Sequence, residues 1–348
     1  MKALNALHGS RVLGPAIAGV LLLVPLVTNG YSQYVVNLVL INVIAGIGLN
    51  LLLGYAGQFA FASAALMGIG AYTTGLLATR VGLPYWACLP LSGVVAALLG
   101  AAAALPAMRM SRVYLALVTF AFAELVVWVL LNWKALTFGS DGISIPAPSL
   151  FGWKIRGEKA VFYLILACAA AMVLLAGRVL QSPVGRSFVA LRESELVAQA
   201  NGINVARTKT LVFALSAFFA GIAGSLYAVA LGFIVPQSFG LSQLIVQFSI
   251  VALGGVGSLS GAVVGAVLLT SLPELLRELQ GVQEIIYGLV LVTVVIFLPD
   301  GIAGALKQAR LLPREVLVRD WRRLIRPAAA PALPADRPAD GSTPEVAR

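Results

Sequence analysis

The chain has 348 residues, of which 60% are hydrophobic and 11% charged, and its formal net charge at pH 7 is +10. A soluble domain carries about a quarter charged residues, so the composition excludes an ordinary soluble protein. It supplies enough apolar sequence for about nine or ten bilayer crossings of roughly 20 residues each. The basic excess lies beside apolar runs, where orientation in a membrane explains it, so no nucleic acid partner is expected.

A charge at mid-membrane costs several kcal/mol by most scales, so charge-free intervals mark spans. Between Arg11 and Arg80 lie 68 residues without Asp, Glu, Lys, Arg or His, and between Lys209 and Glu274 lie 64 more. Each interval fits about three crossings. The chain opens with a basic end and a long apolar run that no clean small-residue cleavage site follows, so residues 12–28 are expected to remain as a first span. Further spans are expected at 34–53, 59–78, 85–105, 113–132, 161–179 and 210–235. The segment 242–273 is expected to break at the glycine-rich stretch GGVGSLSG, residues 254–261, into two short crossings. A last span precedes Asp300, which makes about ten in an all-α polytopic membrane protein. Lys and Arg flank the spans so as to place the N-terminus, the loop 180–209 and the C-terminus in the cytoplasm, and residues 133–160 outside.

Residues 1–300 thus form the transmembrane domain. Residues 301–326 are expected to form a basic amphipathic cytoplasmic segment, suited to anionic headgroups and equally to solvent or to packing on a partner. From Asp300 to Arg326 there are seven Lys or Arg against three acids. Residues 327–348, rich in Pro and Ala without apolar periodicity, are expected to be disordered.

The cytoplasmic loop holds a predicted helix over 183–200. Ser182 is placed to cap it with Pro183 at its first position, the Asn201-Gly202 pair to stop it, and Asn204 to cap the next span. Val184, Phe188 and Leu191 share one face, which Glu195 continues, with Arg186, Arg192 and Glu193 around it. That pattern predicts an apolar strip for docking a partner.

Chemistry within the chain is sparse. The one histidine is His8, and there is no HExxH, CxxC, GxSxG or GxxxxGK[ST] sequence, so no catalysis, metal or cofactor is expected, and any ATP used is bound by other subunits. Glu124 is the one formal charge deep in a predicted span. It would carry a proton, receive a substrate ammonium or bond neighbouring helices, or else stay neutral against Thr119. The compact turn GYAGQ, residues 54–58, joins two spans rich in small residues.

The GYAGQ turn, the segment VGRSFVALRESELVAQANGINVARTKTLVFALSAFFAGIAGSLYA (184–228) and VALGGVGSLSGAVVGAVL (251–268) together resemble the branched-chain amino acid permease family of bacterial ABC importers. The segments LTFGSDGISIPAPSLFG (136–152) and AFAELV around Glu124 are similar to it as well. The likeness covers roughly 34–300 and points to the longer of two paired permease types. It implies a type II-like importer fold, a second permease subunit, two cytoplasmic ATPase subunits, a periplasmic substrate-binding protein and a bacterial inner-membrane location. It also implies that Gly185, Arg186, Phe188, Leu191, Arg192, Glu193 and Gly202 belong to a coupling element, and that Gly54, Tyr55, Gly57, Gln58, Glu124, Gly254 and Gly255 belong to the translocation pathway. The chain departs from the family's usual pattern at Ala60 and at Ala62-Ser63 after the Gly-Gln pair, where polar groups are usual. The other reading is an ion-coupled secondary transporter, with Glu124 as proton site and the breaks at 54–58 and 254–261 as binding centre.

Overall fold

The computed structural model describes residues 25, 30–107, 112–146, 149–150, 153–154, 157–275, 288–289, 292 and 301–302. The expected first span at 12–28, the basic segment at 301–326 and the tail at 327–348 fall almost wholly outside these residues.

Six helical stretches among the described residues are long and apolar enough to cross a membrane. Helix α1 (Gly30–Asn50) runs on through a π-helical turn, Leu51–Tyr55. Helix α2 (Ser63–Leu76) ends in a second π-helical turn, Leu77–Val81. Then come α3 (Tyr85–Ala107), α4 (Arg112–Asn132) and α5 (Glu158–Gln181). The loop forms α6 (Pro183–Glu193) and α7 (Glu195–Ala200). Helix α8 (Val205–Leu231) is followed by the two shorter helices α9 (Leu241–Gly254) and α10 (Leu259–Leu275). The expected break in 242–273 is thus present, over residues 255–258, whereas the single helix expected over 183–200 is two. Ser194 is extended there (φ −163°, ψ 124°) and its side chain accepts from the Val197 amide, so it caps α7 and ends α6.

Short helical turns at Lys134–Thr137, Gly139–Asp141 and Pro236–Phe239 and four two-residue strands lie between the helices. β1 (Ile143–Ser144) pairs antiparallel with β4 (Phe233–Ile234), and β2 (Ser149–Leu150) with β3 (Trp153–Lys154). The β1–β4 pair marks one end of the bundle, the strand end, and α6–α7 mark the other, the loop end.

Contacts fix the direction of each helix. Gly30 of α1 lies against Glu158 at the start of α5, and Gly54 lies against the loop residue Arg192, so α1 runs from strand end to loop end. Arg80, just past α2, donates to the Ala135 carbonyl beyond α4 and sits over the Phe138 ring at 5.3 Å. Helices α3 and α8 are antiparallel, with Gly100 against Ala217 and Gly221 against Ser92. The turn between α9 and α10 is back at the loop end, where Gly257 meets Gly54, and Gly301 packs on Gly255. This alternation is the one expected from the charges. The last expected span, before Asp300, lies almost wholly outside the described residues.

Helices α1 and α8 form the core. α8 packs on α3, α2 and α1, and α1 on α5, α9 and α10. Lipid hydrocarbon gives helices no hydrophobic drive to associate, so close backbone approach and polar bridges must hold them. Both are present here. Gly70 of α2 packs on the Gly221 backbone of α8 and Gly224 on the Met67 carbonyl, with no room for a methyl at either. Thr74 donates to Ser225 at 2.7 Å, and Ser225 to the Tyr85 hydroxyl at 3.3 Å, joining α2, α8 and α3.

Candidate functional site

Three motifs far apart in sequence meet at the loop end. Helix α6 starts tightly after α5, where a side chain on Gly185 would strike the Leu180 carbonyl, and its Phe188 and Leu191 are fully buried. This corrects the expected docking strip: the two residues seat α6 on its own chain, against α5, α8 and the π-turn. An amphipathic pattern shows that one face must be covered and does not say by what. The large apolar side chains left exposed on the loop are Val184, Leu196 and Val197. Arg186 and Glu193 are exposed as well. Gly202 has φ +77° with nothing near it and completes the α7 stop, its amide donating to the Gln199 carbonyl.

Ser182 occupies the cap position of α6, but its hydroxyl donates to the Val179 carbonyl at 2.6 Å instead of capping. Asn204 does cap α8, accepting from the Arg207 amide at 3.0 Å. Lys209, almost fully buried, is held by both Glu195 oxygens at 2.9 Å, which fastens α7 to α8.

Arg192 reaches out of α6 and donates to the Gly54 carbonyl in the π-turn. Its side chain fills the space where Gly57 (φ +66°) and Gly257 (φ +82°) carry no Cβ; one on Gly57 would lie 2.9 Å from the Arg192 Cγ, and one on Gly257 2.8 Å from its Nη1. Asn50, at the end of α1, donates to the Ser258 carbonyl at 2.7 Å and accepts from the Gly257 amide at 2.9 Å. Gly254 packs on the Gly261 carbonyl, and Gly255 (φ +117°) makes the turn. Tyr55 and Gln58 are buried beside them; the Gln58 amide donates to the Ala56 carbonyl at 3.3 Å. The structure therefore brings Gly54, Gly57, Arg192, Gly254 and Gly255 into one cluster and adds Asn50, which sequence reasoning missed.

Glu124 stands apart from that cluster. It lies midway along α4, exposed on the chain's surface, at a cleft lined by Phe61, Ala64, Phe120, Phe239 and Leu244. Its carboxylate has no recorded partner among the described residues. Thr119 does not serve as one, because its hydroxyl donates to the Leu115 and Ala116 carbonyls and accepts from the Phe61 amide. Helix α9 joins the two regions: its Leu241 and Leu244 line the cleft, and its other end is Gly254 in the cluster.

A polytopic helical membrane protein whose loop helix is tied to two broken helices has the architecture of a permease. Residues 31–298 match the family described as branched-chain amino acid transport system / permease component, and the chain belongs to that family. It is 34% identical over 339 residues to the high-affinity branched-chain amino acid transport system permease protein LivM of Escherichia coli (strain K12), an alignment covering 86% of this chain and 80% of LivM. It is 26% identical over 281 residues to LivH of the same strain, covering 74% of this chain and 89% of LivH. A shorter alignment, 32% over 166 residues, covers 45% of the chain and 44% of the autoinducer 2 import system permease protein LsrC of Yersinia enterocolitica. No solved structure matches the chain.

Proposed function

We propose that this chain is the longer permease subunit of an ATP-driven importer that carries branched-chain amino acids across the bacterial inner membrane. It works beside a second permease subunit related to it, with two cytoplasmic ATPase subunits and a periplasmic substrate-binding protein. The observation that carries the reading is the convergence of α6 with both helix breaks through Arg192, on a chain similar to LivM over most of its length. The loop end faces the cytoplasm, because Arg186, Arg192, Arg207 and Lys209 are concentrated there. The exposed Val184, Leu196 and Val197 are the groups offered to an ATPase subunit, while Phe188 and Leu191 fix the helix to its own bundle.

The cleft beside Glu124 supplies a carboxylate for a substrate ammonium and an aromatic wall for an aliphatic side chain. It binds loosely, as suits a passage that must release its cargo. Glu124 also gives the secondary-transporter reading its one specific observation, a mid-span carboxylate that no group among the described residues meets. Reconstitution separates the two. The complex with ATPases and binding protein should take up labelled leucine, isoleucine and valine only with ATP inside the vesicle, and Glu124→Gln should slow that uptake. Uptake by the chain alone, driven by a proton gradient, overturns the importer reading. Cysteines at Gln199 and Ser144 should be labelled from opposite sides, the first from the cytoplasm.

A further inference from the structure

We propose that Asn50 and Arg192 form one latch that makes the loop helix, the end of α1 and the break between α9 and α10 move as a unit, so that a push on α6 reaches the Glu124 cleft through α9. The inference rests on the importer reading for its direction of force, and on geometry for the latch itself. A helix end leaves backbone groups without partners, and here three such ends meet. Asn50 takes two groups of the 255–258 turn at once, the Ser258 carbonyl and the Gly257 amide. A buried amide side chain that satisfies both a donor and an acceptor on another segment fixes that segment in distance and in orientation. Arg192 takes the Gly54 carbonyl at the end of the π-turn. The two holds are continuous, because Gly54 packs directly on Asn50 Oδ1 and on the Gly257 amide nitrogen.

The slot that Arg192 crosses admits no side chain on any of its glycines. Gly54, Gly57 and Gly257 are all within contact of Arg192, Asn50 or each other, and Gly57 and Gly257 hold positive φ. Arg192 is half-buried where it crosses this slot. A guanidinium that donates to a backbone carbonyl at a helix break fixes direction through its planar fork, where an ammonium would not.

Beyond the latch, α9 is a rod of 14 residues, about 21 Å at 1.5 Å per residue. Its near end is Gly254 in the cluster, and its far end carries Leu241 and Leu244 in the cleft wall with Glu124. A rotation imposed at Gly257 is thus delivered to the cleft by a packed, rigid element. Asn50 and Arg192 are positioning residues: neither lines the cleft.

The test uses the assembled importer with Asn50→Ala, Arg192→Ala, Arg192→Lys and the Asn50→Ala/Arg192→Ala pair, assembly being checked by co-purification. The readouts are the ratio of ATP hydrolysis with and without substrate-loaded binding protein, and hydrogen exchange in the peptide covering 250–262. Each alanine variant should cut the stimulation ratio and speed exchange of the 255–258 amides by about tenfold, the worth of one net hydrogen bond. The double variant should be no worse than the worse single, because one latch is broken only once. Millimolar guanidinium should restore part of the stimulation in Arg192→Ala, and Arg192→Lys should be intermediate. Unchanged exchange in either single variant overturns the latch, as do losses that multiply in the double. Exchange is read without nucleotide, so it tests the latch even where a parent complex deaf to binding protein has refuted the importer reading.

Discussion

Replacing Glu195 with Gln leaves Lys209 buried without its counter-charge. The Lys209 side chain is 4% exposed and that of Glu195 36%, with the ammonium 2.9 Å from the carboxylate. At that distance and an effective dielectric near 20, the direct attraction is about 6 kcal/mol, most of it offset by the desolvation of the ammonium. Breaking a fully buried pair costs roughly 3–5 kcal/mol. Here water reaches the carboxylate side and the new amide oxygen still accepts a bond, so the expected loss is about 1–3 kcal/mol. Lys209→Met removes the buried charge instead and leaves a carboxylate that rehydrates, for a loss below about 1 kcal/mol. Thermal unfolding of the purified chain in detergent should therefore rank parent and Lys209→Met above Glu195→Gln. The double variant should recover most of the Glu195→Gln deficit. If Lys209→Met is the more damaging, the pair stabilises through net attraction, and the desolvation argument is wrong.

Gly224→Ala places a methyl on the Met67 carbonyl and should lower stability by about 1–3 kcal/mol; Gly177→Ala, with open space around it, should be neutral or slightly stabilising, the melts of both variants being compared. Gly202→Val forces a β-branched residue to φ +77° at a strain of about 1–3 kcal/mol. It should leave membrane insertion intact while abolishing stimulation of ATP hydrolysis in the reconstituted complex. Gln247 is fully buried; its amide donates to the Met67 thioether at 3.3 Å, and its oxygen has no partner among the described residues. Gln247→Leu should raise the melting temperature, by an amount equivalent to about 1 kcal/mol, with uptake kept.

Absence of charge made the spans legible. The expected 34–53, 85–105, 113–132 and 161–179 lie within α1 with its π-turn, α3, α4 and α5, because in a bilayer length and apolarity nearly decide a helix. The break at 254–261 was legible for a related reason: one span over 242–273 would have put a basic tail on the wrong side. The split of 183–200 had a local signal that the longer pattern hid, since a Ser194 cap with Glu195 in the first turn is itself a helix start. Asn50 had no such signal. An asparagine in an apolar run reads as general polar glue, and its partners Gly257 and Ser258 lie more than 200 positions away. The burial of Phe188 and Leu191 was equally out of reach, because the stripe on α6 is the same whether it is covered by α5 and α8 or by another protein.

Glu124 also separates the outer faces of the bundle. Helices α3 and α5 expose Leu98, Leu99, Leu105, Leu174 and Leu175, uncharged side chains that hydrocarbon accommodates without cost. Helix α4 exposes Leu117, Leu125 and Trp128, equally apolar, but with a carboxylate midway along the same helix. A carboxylate turned to lipid costs several kcal/mol or must take up a proton, and no described group of this chain answers it. In the importer reading the α4 face around the cleft is the one turned away from lipid, toward protein or water. We propose that the second permease subunit of that reading closes over the cleft, with a wet passage between the two. On that proposal, α9, the helix tied to the loop by the latch, ends where its movement changes what a solute meets, since its Leu241 and Leu244 line this cleft.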